Sequence, residues 1–107
     1  MGKGAEVSEV LPGGIKVAPE KKVKKPKMYR VILYNDDYTS MEFVVEILTT
    51  IFDKDEPEAT RIMMDVHQNG HGTCGVYTLD IAMTKIKQVH FEARKEGFPL
   101  RCGYEEA

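Results

Sequence analysis

Before residue 28 the chain shows no sustained periodicity; beyond it, apolar positions switch repeatedly between strand and helix spacing. Tyr29-Arg30-Val31-Ile32-Leu33-Tyr34 is rich in β-branched and aromatic residues and predicts a strand. Met41, Val44, Val45, Leu48, Ile51 and Phe52 then recur at i, i+3, i+4 and i+7, which predicts a helix over 40–52. Asp53 to Glu58 stops that helix and starts another, with Asp55 as a cap, Pro57 in the first turn and acids that complement the helix dipole. The second helix carries Ala59, Ile62, Met63, Val66 and His67 on one face and ends at Asn69-Gly70, with Gly72 beyond. Thr73 to Tyr77 predicts a short strand. Thr78 caps a third helix with Leu79, Ala82, Ile86, Val89, His90 and Ala93 facing inward; Gly97 and Pro99 end it, and Leu100 to Tyr104 forms a closing strand. The order β-α-α-β-α-β implies an α+β, two-layer sandwich: three helices on one face of a three-stranded, largely antiparallel sheet.

Residues 1–27 hold Gly2, Gly4, Pro12, Gly13, Gly14, Pro19 and Pro26, and a basic run from Lys21 to Lys25. Too little apolar content is present to offset ordering entropy, so a flexible N-terminal extension is expected over 1–27, ahead of one domain over 28–107. The extension carries seven Lys against three Glu, whereas 28–107 carries eight Lys/Arg against fourteen Asp/Glu. An acidic folded part, with no aromatic in the basic extension to stack on a base, argues against nucleic acid and favours a cationic ligand. No apolar run approaches the roughly 20 residues of a membrane span. Lys3, Glu6 and Glu9 interrupt any signal-peptide core, and a cytoplasmic location is expected. Cys74 and Cys102, far from CxxC spacing, read as small core residues.

The densest chemistry lies where the first strand turns into the first helix, at Asn35-Asp36-Asp37-Tyr38-Thr39-Ser40-Met41-Glu42. Asn and Asp favour turns, and Thr39 stands three residues before Glu42, the spacing of a capping box. Three chemistries compete here with an ordinary turn and core. A metal module could use His67, His71 and Cys74, although Asn69-Gly70 breaks the helix between the two histidines. Catalysis finds no support: there is no G-x-S-x-G elbow, no phosphate-cradling Gly loop and no H-E-x-x-H, and neither nucleotide nor cofactor is implied. Cation binding fits better. Asn35, Asp37 and neutral His67 all offer acceptors to an ammonium group, and Met41, Val44, Met63 and Val66 are the nearest apolar side chains.

Residues 28–44, from Met28 to Val44, closely resemble the opening of the ClpS family, the bacterial adaptors that deliver N-degron substrates to the ClpAP protease. The likeness continues through Ala59-Thr60, the Met63/Val66-His67 helix, Gly70, Cys74-Gly75-Val76-Tyr77-Thr78 and Thr84-Lys85. The resemblance implies a non-enzymatic adaptor for proteins that begin with Leu, Phe, Tyr or Trp. It implies that Asn35, Asp37 and His67 contact the free α-ammonium and first peptide group, with Asp36 at the rim. Leu33, Thr39, Val44, Met63, Val66 and Leu100 would form or border the side-chain pocket, and Met41 would be the gate against β-branched first residues. Asp80 and Lys85 would meet the N-terminal domain of a ClpA-type AAA+ unfoldase. The chain departs from the family at Asp80, commonly Glu, at Ser40, where many relatives have Pro, and at Tyr34, commonly aliphatic.

Overall fold

The computed structural model describes residues 25–107, and ahead of them only the backbone of Glu9–Val10 and Lys16–Val17, paired antiparallel with Glu9 opposite Val17. The expected extension over 1–27 otherwise falls almost wholly outside the described residues. The main domain runs β1 (Tyr29–Tyr34), α1 (Met41–Thr50), α2 (Glu56–Asn69), β2 (His71–Tyr77), α3 (Leu79–Lys95) and β3 (Arg101–Glu106). The expected order and layers are present, and the sheet is antiparallel throughout, in the order β2-β1-β3.

The apolar run Val31-Ile32-Leu33 takes the central strand, where all three residues are buried. Val31 and Leu33 join the helix-side core, whereas Ile32 lies outside that cluster. Opposite the break between Val31 and Ile32, β2 holds one extra residue, Cys74, turned fully into the core. β2 starts earlier than the Thr73 the sequence suggested. Gly70 takes the left-handed φ of 90° that ends α2, and Gly72 lets the strand lie directly on that helix. A Cβ at Gly72 would stand 2.8 Å from Val66 Cγ2 and 3.1 Å from the Ile62 carbonyl oxygen. That contact brings His71 opposite Tyr34.

Two helix faces differ from expectation. In α1 the buried residues are Phe43, Val44, Ile47 and Leu48, while Met41 is 43% exposed. α1 is apolar on more than one side, so periodicity alone could not select the side that meets the core. In α3 the buried stripe is Ala82, Ile86, Val89 and Ala93; Leu79, its first residue, stays 41% exposed. α1 ends under a cation from another helix. Lys85 Nζ donates to the Ile51 carbonyl oxygen at 2.7 Å and lies 5.7 Å and 5.3 Å from the ring centroids of Phe52 and Tyr77.

The Cys102 N–H of edge strand β3 donates to His90 Nε2 at 3.0 Å. His90 must therefore be neutral, with its proton on Nδ1. Burial, then the charges of Arg94 and Arg101, hold its pKa below the ordinary histidine value. At pH below the unfolded value of about 6.5 the unfolded chain takes up a proton that the folded chain resists. The stability from this bond is thus complete above that value and is lost as pH falls through the lower folded one. Denaturant unfolding from about pH 7.5 to about pH 5.5 should show a steeper loss for the wild type than for His90→Gln, which keeps an acceptor without titrating. Equal slopes would remove this role.

Candidate polar turn and apolar socket

The turn after β1 is held from inside and from α2. Asp36 accepts the N–H of Tyr38 at 2.8 Å, the N–H of Thr39 at 2.7 Å and the Thr39 hydroxyl at 2.8 Å. Burial pushes the Asp36 carboxyl up, but these bonds and the Arg94 charge outweigh it and hold its pKa below the ordinary value. Asp36 is therefore a pin for the loop. The expected Thr39–Glu42 capping box does not form, because the Thr39 hydroxyl is engaged by Asp36. Ser40 caps α1 instead, accepting the Phe43 N–H at 3.1 Å.

The Asn35 N–H donates to the Gly70 carbonyl oxygen at 2.9 Å, which docks the turn on the C-terminal end of α2, three residues past His67. Asn35, Asp37 and His67 are all exposed, so His67 leaves the inward face expected of it. Among the described residues no cation pairs with the Asp37 carboxylate. The turn that bears Asn35 and Asp37 thus meets the carbonyl-rich end of the helix that bears His67, and the partial negative charge of that end favours a cation.

The expected apolar residues lie deeper. Leu33, Val44, Met63, Val66 and Leu100 are buried in one continuous cluster, while Thr39 is half-buried at its rim and Met41 stands outside it. Met41 and Met63 also line a groove of about 580 Å³ along α1 and α2, with Val45, Thr49 and three acids: Glu42, Glu46 and Glu56. None of the acids was foreseen as part of a site. Their signal was Glu42 and Glu46 at i, i+4 spacing, one residue after Met41 and Val45. Asn35, Asp37 and His67 do not line this groove; the first two lie in the turn and His67 in the last turn of α2.

Asp80 and Lys85 share a smaller cleft of about 240 Å³ with Ile81, Thr84 and Gln88. The Asp80 carboxylate accepts the Thr78 hydroxyl at 2.7 Å, and that bond, then the Ile81 N–H, holds its carboxyl below the ordinary value. Thr78 therefore gives α3 no side-chain cap. The alternative metal set is not assembled. His67 and His71 are exposed, whereas Cys74 points into the core, and among the described residues no three His, Cys, Asp or Glu side chains converge on a metal position. Both cysteines are free and buried. Burial pushes the Cys102 thiol up to about 12 and the Cys74 thiol well above its ordinary value.

Comparison with known proteins gives a consistent answer. The family model described as "ATP-dependent Clp protease adaptor protein ClpS" matches residues 24–103. A protein of Syntrophus aciditrophicus (strain SB), named ATP-dependent Clp protease adapter protein ClpS, is 64% identical over 87 residues, 81% of each chain. One of the same name from Paraburkholderia xenovorans (strain LB400) is 54% identical over 103 residues, 96% of this chain and 99% of that one. Among solved structures, that of Agrobacterium tumefaciens ClpS2 bound to L-phenylalaninamide matches with a TM-score of 0.75 and 40% identity, over 78% of this chain and all of that one. On fold, motif and identity together, this chain belongs to the ClpS family of Clp protease adaptors.

Proposed function

We propose that this adaptor captures proteins whose free first residue is Leu, Phe, Tyr or Trp and passes them to a ClpA-type unfoldase of the ClpAP protease. The observation that carries the reading is the Asn35–Gly70 bond, which sets the Asn35–Asp37 turn against the end of α2 that bears His67. The relative's ligand supports it: phenylalaninamide has a free α-amine and an aromatic side chain but no carboxylate, as the start of a protein does.

The α-ammonium carries three donors and a charge. Asp37 supplies the opposing charge, and Asn35 Oδ1 and a ring nitrogen of His67 supply the remaining acceptors. Asp36 acts by keeping the turn in shape. The first side chain enters between Leu33, Thr39, Val44, Met63, Val66 and Leu100. Met41, half in water at the start of α1, serves in this reading as the gate against a branch at Cβ. A blocking side chain discriminates better than size, because one methylene in a pocket changes binding by only about 1–3 kcal/mol. Asp80 and Lys85 offer one cleft to the unfoldase. The extension over 1–27 serves the handover, and the partner hydrolyses ATP while this chain makes and breaks no covalent bond. Among the described residues no helix is long and apolar enough to cross a membrane. The handover, in this reading, takes place where the protease works, in the cytoplasm.

Fluorescence anisotropy with a labelled Phe-initiated peptide and its N-acetylated twin tests the reading. The free peptide should bind at least about 100-fold more tightly, since acetylation removes both the charge and two of the donors. Equal binding of the two would end it.

A further inference from the structure

The loop that delivers Leu100 to the apolar cluster is tied to α3 through the Phe98 N–H, which donates to the Ala93 carbonyl oxygen at 2.8 Å. Gly97 leaves α3 at a left-handed φ of 79°, Pro99 has no N–H to donate, and β3 begins only at Arg101. The Phe98 and Leu100 carbonyls would need partners from elsewhere. Arg94, in the last turn of α3, provides them: its Nη1 donates to the Phe98 oxygen at 2.8 Å and to the Leu100 oxygen at 2.9 Å. One turn earlier, His90 takes the Cys102 N–H. Two side chains at i, i+4 on α3 thus grip the segment on either side of Arg101. Phe98 meets Phe43 of α1 at 5.0 Å between centroids, which ties the same loop to the helix that follows the polar turn.

We infer that Arg94 is a positioning residue for first-residue selection: by holding the Phe98 and Leu100 carbonyls it fixes Leu100 as a rigid wall of the socket. The inference rests on the adaptor reading above, and it assigns selection to a residue that does not line the socket. A guanidinium suits the task because its donors are pre-organised in one plane and can serve two carbonyls at once. With the grip released, the wall recedes, and the socket accepts a large side chain at less disadvantage relative to a small one.

The test uses the full chain as wild type, Arg94→Ala, Arg94→Met and Arg94→Lys, titrated with peptides beginning in Leu and in Trp. The readout is the ratio of the two affinities. General loosening of the fold lowers the active fraction and leaves that ratio alone. Arg94→Ala and Arg94→Met should each shift the Leu/Trp ratio at least about threefold toward Trp, Met showing that the aliphatic stem is insufficient. Arg94→Lys, which retains donors, should restore the ratio at least in part. An unmoved ratio in Arg94→Ala, or a Lys variant indistinguishable from Ala, overturns the proposal while the adaptor reading stands. A wild type that binds neither peptide overturns the adaptor reading, and selection by Arg94 falls with it.

Discussion

Asp37→Asn should weaken binding of a free Leu- or Phe-initiated peptide by roughly 30- to 150-fold, equivalent to about 2–3 kcal/mol, and leave the fold intact. The substitution keeps the shape and one acceptor oxygen and removes only the charge. Because Asp37 is exposed and no described side chain pairs with it, the folded chain has little to lose. Asp36, its neighbour, is the contrast. Its carboxylate holds three bonds within the turn, so substitution there disturbs the loop before it disturbs any ligand. Salt provides a second signature. Wild-type affinity should fall with ionic strength more steeply than that of Asp37→Asn, since screening acts on the pair the variant has lost. An affinity within threefold of wild type would assign ammonium recognition to other groups.

The largest expected effect on stability is at Leu33. It is fully buried on the central strand, paired with Gly72 on one side and Cys102 on the other. Leu33→Ala removes its side chain where both neighbouring strands and the helix layer meet, so collapse around the gap is limited. A cost of about 2–5 kcal/mol is expected, or a fall in Tm of roughly 10–25 °C for a domain of this size. Calorimetry or a denaturant titration would measure it. A loss below about 1 kcal/mol would mean that the helix layer slides to refill the space.

What could be read in advance was whatever depends on neighbours along the chain. The strand at Val31-Ile32-Leu33, the Asp55 cap and the Gly70 stop are decided by their own segments, and each is found where the pattern put it. Contacts made across the fold were not legible. Met41 and Val45 fit the helical period as well as Phe43 and Ile47 do, and only the position of α2 decides which pair faces the groove. Thr39 has the spacing of a cap, but Asp36 engages its hydroxyl across the turn and Ser40 caps the helix in its place. His90 acts on the closing strand and Arg94 on the loop that leads into it, and no spacing rule announces such bonds. The polar turn was visible because its groups are adjacent in sequence. Its apposition to α2 comes from one backbone bond between Asn35 and Gly70.

The burial of Cys74 and Cys102 has a use at the bench. These are the chain's two cysteines, and a thiol reacts with maleimide as its thiolate, which burial suppresses in both. The folded protein should therefore react slowly with such reagents without any native cysteine being removed. A single cysteine introduced at exposed Lys87, on α3, would carry a dye alone. With a second dye on a substrate, energy transfer between them would time capture and release turn by turn.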